Sequence, residues 1–147
     1  MADPSERASE ADAATAQKRR ANRCFVCGDA NPAGLKVRFR LDGDVCRAEF
    51  TPDHRHQGYD GVMHGGLLFA LLDDVMANWL WLQGYQCFTA RADIRYRAPV
   101  PLGETLALEG RLLRQRGRLY EMQGLVLSAT SGAVLTEATG RFMTRDG

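Results

Sequence analysis

The stretch that decides the fold is LLFALLDDVMANWLWL, residues 67–82, in which only Asp73, Asp74 and Asn78 are polar. A segment that is apolar on nearly every side predicts a helix that is buried on nearly every side. Gly84, just beyond this stretch, is a signal for the helix to stop. The sequence therefore predicts one central helix over 67–82, with the other elements packed around it.

Strand patterns flank this helix on both sides. Upstream, residues 36–41 and 45–51 lie on either side of Asp42-Gly43, which is a strong hairpin signal. Downstream, alternating segments predict four strands, over 88–97, 104–115, 119–128 and 134–143. An antiparallel sheet wrapped around one hydrophobic helix satisfies both patterns at once. We therefore predict an α+β chain with the hotdog fold.

The strand predicted over 88–97 shows the clearest alternation. Phe88 and every second residue up to Tyr96 are predicted to share the apolar face, and Thr89 and the arginines the opposite face. Arg91, Arg95 and Arg97 then form a basic row. Such a row is usually a solvated face, but guanidinium groups also suit phosphate groups, so we consider Arg91 and Arg97 candidate substrate-binding residues.

Length and composition describe one average globular domain. The chain has 147 residues, 45% of them hydrophobic, and a formal net charge of +1. These values argue against a disordered chain and against a strongly basic nucleic-acid binder. The longest apolar run is too short and too acidic to cross a membrane. With no secretory signal evident, we expect a cytoplasmic protein with an N-terminal flexible or helical arm over 1–23 and one domain over 24–147.

Four cysteines are present, and a cytoplasmic address predicts that they are reduced thiols. Cys24 and Cys27 form a CxxC motif, which can be half of a zinc site. Without a second CxxC, the other ligands would come from His54 and His56 or from the distant cysteines. The alternative is a turn with two small, partly buried thiols. We favour that alternative and expect neither metal nor cofactor.

Gly65 and Gly66 stand at the start of the predicted helix, where backbone N–H groups are free and the macrodipole is positive. Two glycines there allow a substrate to approach the backbone closely. N–H groups aimed at a carbonyl oxygen that gains negative charge act as an oxyanion hole. The alternative role of these glycines is close packing where the chain enters the helix.

Asp73 and Asp74 are the candidate acids, because a carboxylate in so apolar a helix costs free energy unless it is paired or functional. Asp73 follows Gly66 by roughly 700° of helical rotation and so shares its face, but lies roughly 10.5 Å along the axis. A carbonyl held at the helix N-terminus would therefore need the Asp73 of a second, antiparallel helix. Asp74 lies about 100° further round. Its expected role is a surface or interface carboxylate paired with an arginine.

Three segments carry a family resemblance: CFVCGDANPAGL at 24–35, HQGYDGVMHGGLLFALLDD at 56–74 and TARADIRYRAPVPLGETL at 89–106. Together with the strand order, they resemble the hotdog-fold acyl-CoA thioesterases of the PaaI-like group over about residues 24–147. The most specific feature is the His-Gly-Gly of residues 64–66 with an acid nine residues after its histidine.

The resemblance implies a thioester hydrolase that needs no cofactor. In such enzymes the Gly66 N–H, beside Gly65, would bind the thioester carbonyl, with His64 in support. Asp73 would be the catalytic carboxylate, either activating water or attacking directly, and Thr89 would orient the nucleophile. Many relatives carry Asn or Gln six residues before the histidine of the motif. That position is Gly58 in this chain, and its neighbour Gln57 is the candidate substitute.

The resemblance also implies an acyl-CoA substrate and a homodimer with shared active sites, assembled further as a dimer of dimers. Neither nucleic acid nor membrane is an expected partner. Other readings stay open: a non-catalytic acyl-CoA-binding hotdog module, a hotdog hydratase or dehydratase, and a small zinc module built on Cys24 and Cys27. The acyl group is not evident from the sequence.

Overall fold

The central helix, α1, spans Gly65–Trp81, close to the predicted 67–82. The structure is a computed structural model and describes residues 21–145. Six strands accompany the helix: β1 Arg40–Asp42, β2 Val45–Phe50, β3 Cys87–Tyr96, β4 Leu106–Arg116, β5 Leu119–Ser128 and β6 Val134–Thr144. Except for β1, these bounds lie within two residues of the predicted ones. Most of the predicted arm, residues 1–20, lies outside the described residues.

All six strands form one antiparallel sheet in the order β1-β2-β4-β5-β6-β3. The chain passes from β2 through α1 to β3 at the far edge of the sheet, and then returns to β4 beside β2. Because α1 packs against strands β2 to β6, the sheet covers the helix along its length. The predicted α+β arrangement, with one helix inside an antiparallel sheet, is confirmed.

A row of small residues lets α1 approach the sheet closely. Gly110 of β4 pairs with Gly124 of β5, which pairs with Ala138 of β6. A Cβ atom at Gly110 would lie well inside 3.0 Å of the Val75 carbonyl oxygen, and one at Gly124 would lie 3.1 Å from the Met76 side chain. The glycines therefore bring backbone and side chains of α1 directly onto the strands. Sequence patterning alone does not assign these glycines a role.

The first predicted strand is too long, since β1 covers only 40–42 and not 36–41. Lys36 adopts a positive φ of 56°, which interrupts an extended backbone. Leu35 and Val37 instead donate backbone hydrogen bonds to the carbonyls of Phe25 and Val26, at 2.8 and 2.9 Å. The segment before β1 is therefore bound to the CxxC turn. Within residues 21–145 no helix combines the length and apolar character needed to span a membrane.

Replacing Gly110 with Ala tests the helix–sheet contact. The added methyl group meets the α1 backbone, which cannot move away as a flexible side chain would, so we expect the free energy of unfolding to fall by about 2–4 kcal/mol. Urea denaturation at one fixed protein concentration measures it. Gly117→Ala is the control, because that turn glycine has φ 59° but open space around it, and strain alone costs about 1 kcal/mol. Equal losses in both variants would contradict the steric explanation.

Candidate active site

The N-terminus of α1 is capped by His64, whose Nδ1 accepts a hydrogen bond from the Gly66 N–H at 2.8 Å. The His64 backbone is itself fixed, because its N–H donates to the His56 carbonyl at 2.8 Å. The predicted oxyanion donor is therefore already occupied by a side chain of the same motif. The Gly65 N–H, in contrast, makes no hydrogen bond to another residue of the described part of the chain.

Tyr96 lies beside this helix start, a position that the sequence did not single out for function. Its hydroxyl donates to the Gly65 carbonyl oxygen at 2.8 Å, and its ring would be 3.4 Å from a Cβ atom at Gly65. The ring is half exposed. Tyr96 thus connects the end of β3 to the first turn of α1 and holds the two glycines beside an open surface.

Asp73 lies two turns further along α1, where its Oδ1 accepts a hydrogen bond from the Thr89 hydroxyl at 2.6 Å. A bond of this length to a carboxylate is of the charge-assisted kind, which fixes the orientation of the acid. Asp73 follows Gly66 by seven positions of continuous helix. The structure therefore brings Asp73 and Thr89 together but leaves the Gly66 N–H of the same chain about 10 Å away along the axis.

A β-bulge sets the direction of Thr89. Thr89 pairs with Phe142 and Arg91 with Arg141, so Ala90 between them has no partner on β6. The extra residue reverses the alternation, which places Thr89 on the α1 side of the strand together with Tyr96. The predicted faces are therefore wrong for residues 88–90, and Phe88, predicted on the apolar face, is 58% exposed. Simple alternation would have pointed Thr89 away from Asp73.

Asp74 occupies a different environment from its neighbour. Its side chain lies near Cys24 Sγ, at 3.9–4.0 Å, and accepts from Asn78 Nδ2 at 3.2 Å. Burial raises the pKa of Asp74 to about 6, and the charge of Asp73 adds to this rise. Among residues 21–145 no Lys, Arg or His forms an ion pair with it. The expected arginine partner is therefore not found among the described residues.

The two CxxC thiols lie beside Asp74. They do not cluster with His54 or His56, the histidines considered as further ligands. His56 is buried against Phe50 and its Nδ1 accepts from the Asp53 N–H at 2.9 Å, so it caps a short 3-10 turn over 54–56. Burial raises the pKa of the Cys27 thiol. Burial also raises the pKa of Cys46 to about 12 and that of Cys87 to about 11. These values describe unreactive thiols rather than nucleophiles.

The remaining predicted substrate contacts are arranged around the site rather than in it. Gln57 Oε1 accepts from the Gly61 N–H at 3.2 Å, and a Cβ atom at Gly58 would be 3.3 Å from the His64 Cα. Both residues therefore shape the loop before α1. Arg97 pairs with Glu137 at 2.8 Å and Arg91 with Asp93 at 3.7 Å. Neither arginine forms a hydrogen bond or ion pair with Asp73 or the first turn of α1 within residues 21–145.

The far edge of β3 is unpaired within the described chain, since β3 ends the strand order. Phe88 and Tyr96 expose large aromatic surfaces along it, 58% and 50% respectively. The Thr89–Asp73 pair and the start of α1 border the same strand. Both halves of the candidate site therefore lie along one exposed, partly apolar edge.

Comparison with known proteins places this geometry in a family. The profile of the thioesterase superfamily matches residues 60–134, just over half of the chain. A crystallised thioesterase superfamily protein is 31% identical, with a TM-score of 0.76 over 83% of this chain and 60% of that one. The PaaI protein of E. coli, from the phenylacetic acid degradation operon, is 18% identical, with a TM-score of 0.75 over 92% of this chain and 96% of that one. These likenesses confirm the hotdog fold.

Among curated proteins, the acyl-coenzyme A thioesterase THEM4 of Bos taurus is 29% identical over 90 residues. Those residues are 61% of this chain but 37% of that protein. The chain thus spans well under half the length of this relative.

Proposed function

Because the chain belongs to the thioesterase superfamily, we propose that it hydrolyses acyl-CoA thioesters to a carboxylate and free CoA. The observation that carries the proposal is the Thr89–Asp73 hydrogen bond of 2.6 Å, which fixes a carboxylate of the apolar central helix beside an exposed edge. A carboxylate held in this way, whose other oxygen accepts no hydrogen bond from residues 21–145, is suited to act on water or on a carbonyl carbon.

The thioester oxygen would bind at the first turn of α1. Its developing negative charge is stabilised there by the free Gly65 N–H, by the Gly66 N–H and by the positive end of the helix dipole. Since His64 Nδ1 occupies the Gly66 N–H in the single chain, its ring has to turn away when substrate binds. The displaced imidazole then lies close to the substrate, which gives His64 its supporting role.

Asp73 is the group that starts the reaction. With Oδ1 held by Thr89, Oδ2 takes a proton from water as the water oxygen attacks the carbonyl carbon. The C–S bond breaks when the tetrahedral intermediate collapses, and the CoA thiolate leaves and takes up a proton. Direct attack by Asp73 would break the C–S bond, release the CoA thiolate and give an anhydride, which water then hydrolyses to regenerate Asp73. Both routes need the same oriented carboxylate.

A complete site needs two subunits. Gly66 and Asp73 of one α1 are too far apart to act on one carbonyl, whereas antiparallel helices of two copies bring each Gly66 near the partner's acid. The unpaired β3 edge with its exposed aromatic side chains is the surface that supports such pairing. A twofold dimer then holds two equivalent sites. Arg91, Arg97 and Gln57 would contact CoA at the rim.

Replacing Asp73 with Asn removes the proton acceptor and keeps the size of the side chain. We expect free-thiol release from a panel of short, medium, long and aromatic acyl-CoAs to fall by about two to four orders of magnitude. Asp42→Asn, at the end of β1, is the matched control and should retain full activity. An active Asp73→Asn variant would exclude the mechanism, and a wild-type protein inactive on the whole panel would favour a binding module.

Replacing Thr89 with Ala frees the carboxylate of Asp73 from its hydrogen-bond donor. Loss of a hydrogen bond to a charged group is expected to lower kcat about 10–100-fold with little change in KM. Thr89→Ser restores the hydroxyl and should restore most of kcat. Thr139→Ala, an exposed β6 threonine, is the control. If the Ser variant were as impaired as the Ala variant, orientation by the hydroxyl would not be its role.

Mixed dimers test whether the sites are shared. Gly66→Ala and Asp73→Asn each inactivate both sites of a homodimer, but a mixed dimer of the two has one intact site. Co-expression in equal amounts should restore about one quarter of wild-type activity, since half of the dimers are mixed and each has one working site of two. No recovery from verified mixed dimers would place the whole site within one chain.

A further inference from the structure

A second cluster of chemically active side chains lies on the other flank of α1, away from Thr89. Cys24, Cys27 and Asp74 each present one ligand atom, and these atoms all lie within 4.8 Å of one another. A tetrahedral zinc ion with bonds of about 2.0–2.3 Å requires ligand atoms about 3.5–3.8 Å apart. The separation of 3.9 Å between Cys24 Sγ and Asp74 Oδ2 is close to that requirement.

The turn that presents the two thiols is already formed. The Cys27 N–H donates to Cys24 Sγ at 3.5 Å, and the Gly28 N–H donates to the Cys24 carbonyl at 2.9 Å. Gly28 has no room for a Cβ atom beside the backbone of Asn22 and Cys24. This N–H bond orients Cys24 Sγ, and a bound cation deprotonates a coordinating thiol even where burial disfavours the thiolate. The turn therefore presents the two thiols in a fixed arrangement.

The third ligand is also held in place. Asn78 Nδ2 donates both to Asp74 Oδ2 at 3.2 Å and to the Asp74 carbonyl at 2.9 Å. Such an outer contact orients a ligating carboxylate. The Asp74 carboxylate is partly buried beside two thiols, and no cationic side chain of residues 21–145 is paired with it. A bound cation would therefore stabilise its charge.

We propose that Cys24, Cys27 and Asp74 bind one zinc ion, with water or the Asn78 amide oxygen as the fourth ligand. Two thiolates select zinc over magnesium and calcium, which prefer oxygen ligands alone. A cleft of about 270 Å³, lined by Cys27 and Asn78 among others, gives the ion and its water a route from solvent. The ion fastens the CxxC turn to α1 at the residue next to Asp73. This site does not depend on the proposed hydrolytic activity.

The test uses the full chain purified under reducing conditions, with any affinity tag removed. We expect about one zinc per chain by mass spectrometry of the metal. Cobalt in place of zinc should show thiolate-to-metal charge transfer and the intense visible bands of tetrahedral coordination. Removal of zinc should lower Tm by roughly 5–10 °C, and added zinc should restore it.

Three variants, Cys24→Ser, Cys27→Ser and Asp74→Asn, should each bind zinc at least about tenfold more weakly. Cys87→Ser is the matched control, because that thiol lies at the start of β3 near the Ala77 carbonyl. Asp73→Asn should keep its zinc while losing thioester hydrolysis, so the two proposals fail separately. Should a variant not fold, the cobalt spectrum of the wild-type protein still decides.

The proposal is overturned by a wild-type protein that neither contains zinc nor gains thermal stability from it. It is also overturned by an absence of thiolate-to-cobalt charge transfer or by variants that retain full zinc affinity.

Discussion

The close approach of α1 to the central strands is the constraint on which the rest of the structure depends. A helix with apolar residues on almost every side has to be covered on almost every side. The sheet achieves this only because Gly110 and Gly124 leave room for the helix against the strands. Once α1 is fixed in this way, its position determines which residues its polar side chains contact. Those contacts determine the chemistry of the molecule.

Asp73 and Asp74 show how the packing of α1 determines the contacts of its polar residues. They are adjacent in sequence but about 100° apart on the helix, so the same packing directs them to opposite flanks. Asp73 contacts Thr89 at the exposed β3 edge, where a substrate and a second subunit have access. Asp74 contacts the CxxC turn and Asn78, away from that edge. One short acidic pair thereby supplies two sites with different chemistry, one proposed for thioester hydrolysis and one for zinc.

Much of the fold was predictable because its signals are local. The apolar run of α1 and the alternation of β4 to β6 predicted their bounds within two residues. The predictions were wrong where contacts between residues far apart in sequence determine the backbone conformation. Leu35 and Val37, on either side of Lys36, bind the CxxC turn instead of extending β1. In β3, the pairing with β6 inserts Ala90 as a bulge, which no period-two pattern contains. Thr89 was identified through the family resemblance, whereas alternation placed it on the wrong face.

The sequence by itself determined that a buried helix carries two acids and begins at two glycines, because those features depend on residue type and spacing along one element. The tertiary structure decided which partner each acid meets. It also decided that His64 covers the Gly66 N–H and that the two cysteines face Asp74 rather than a histidine. Contacts between residues such as Cys24 and Asp74, fifty positions apart, are set by how the sheet and the N-terminal turn pack on the helix, and local spacing does not encode that packing.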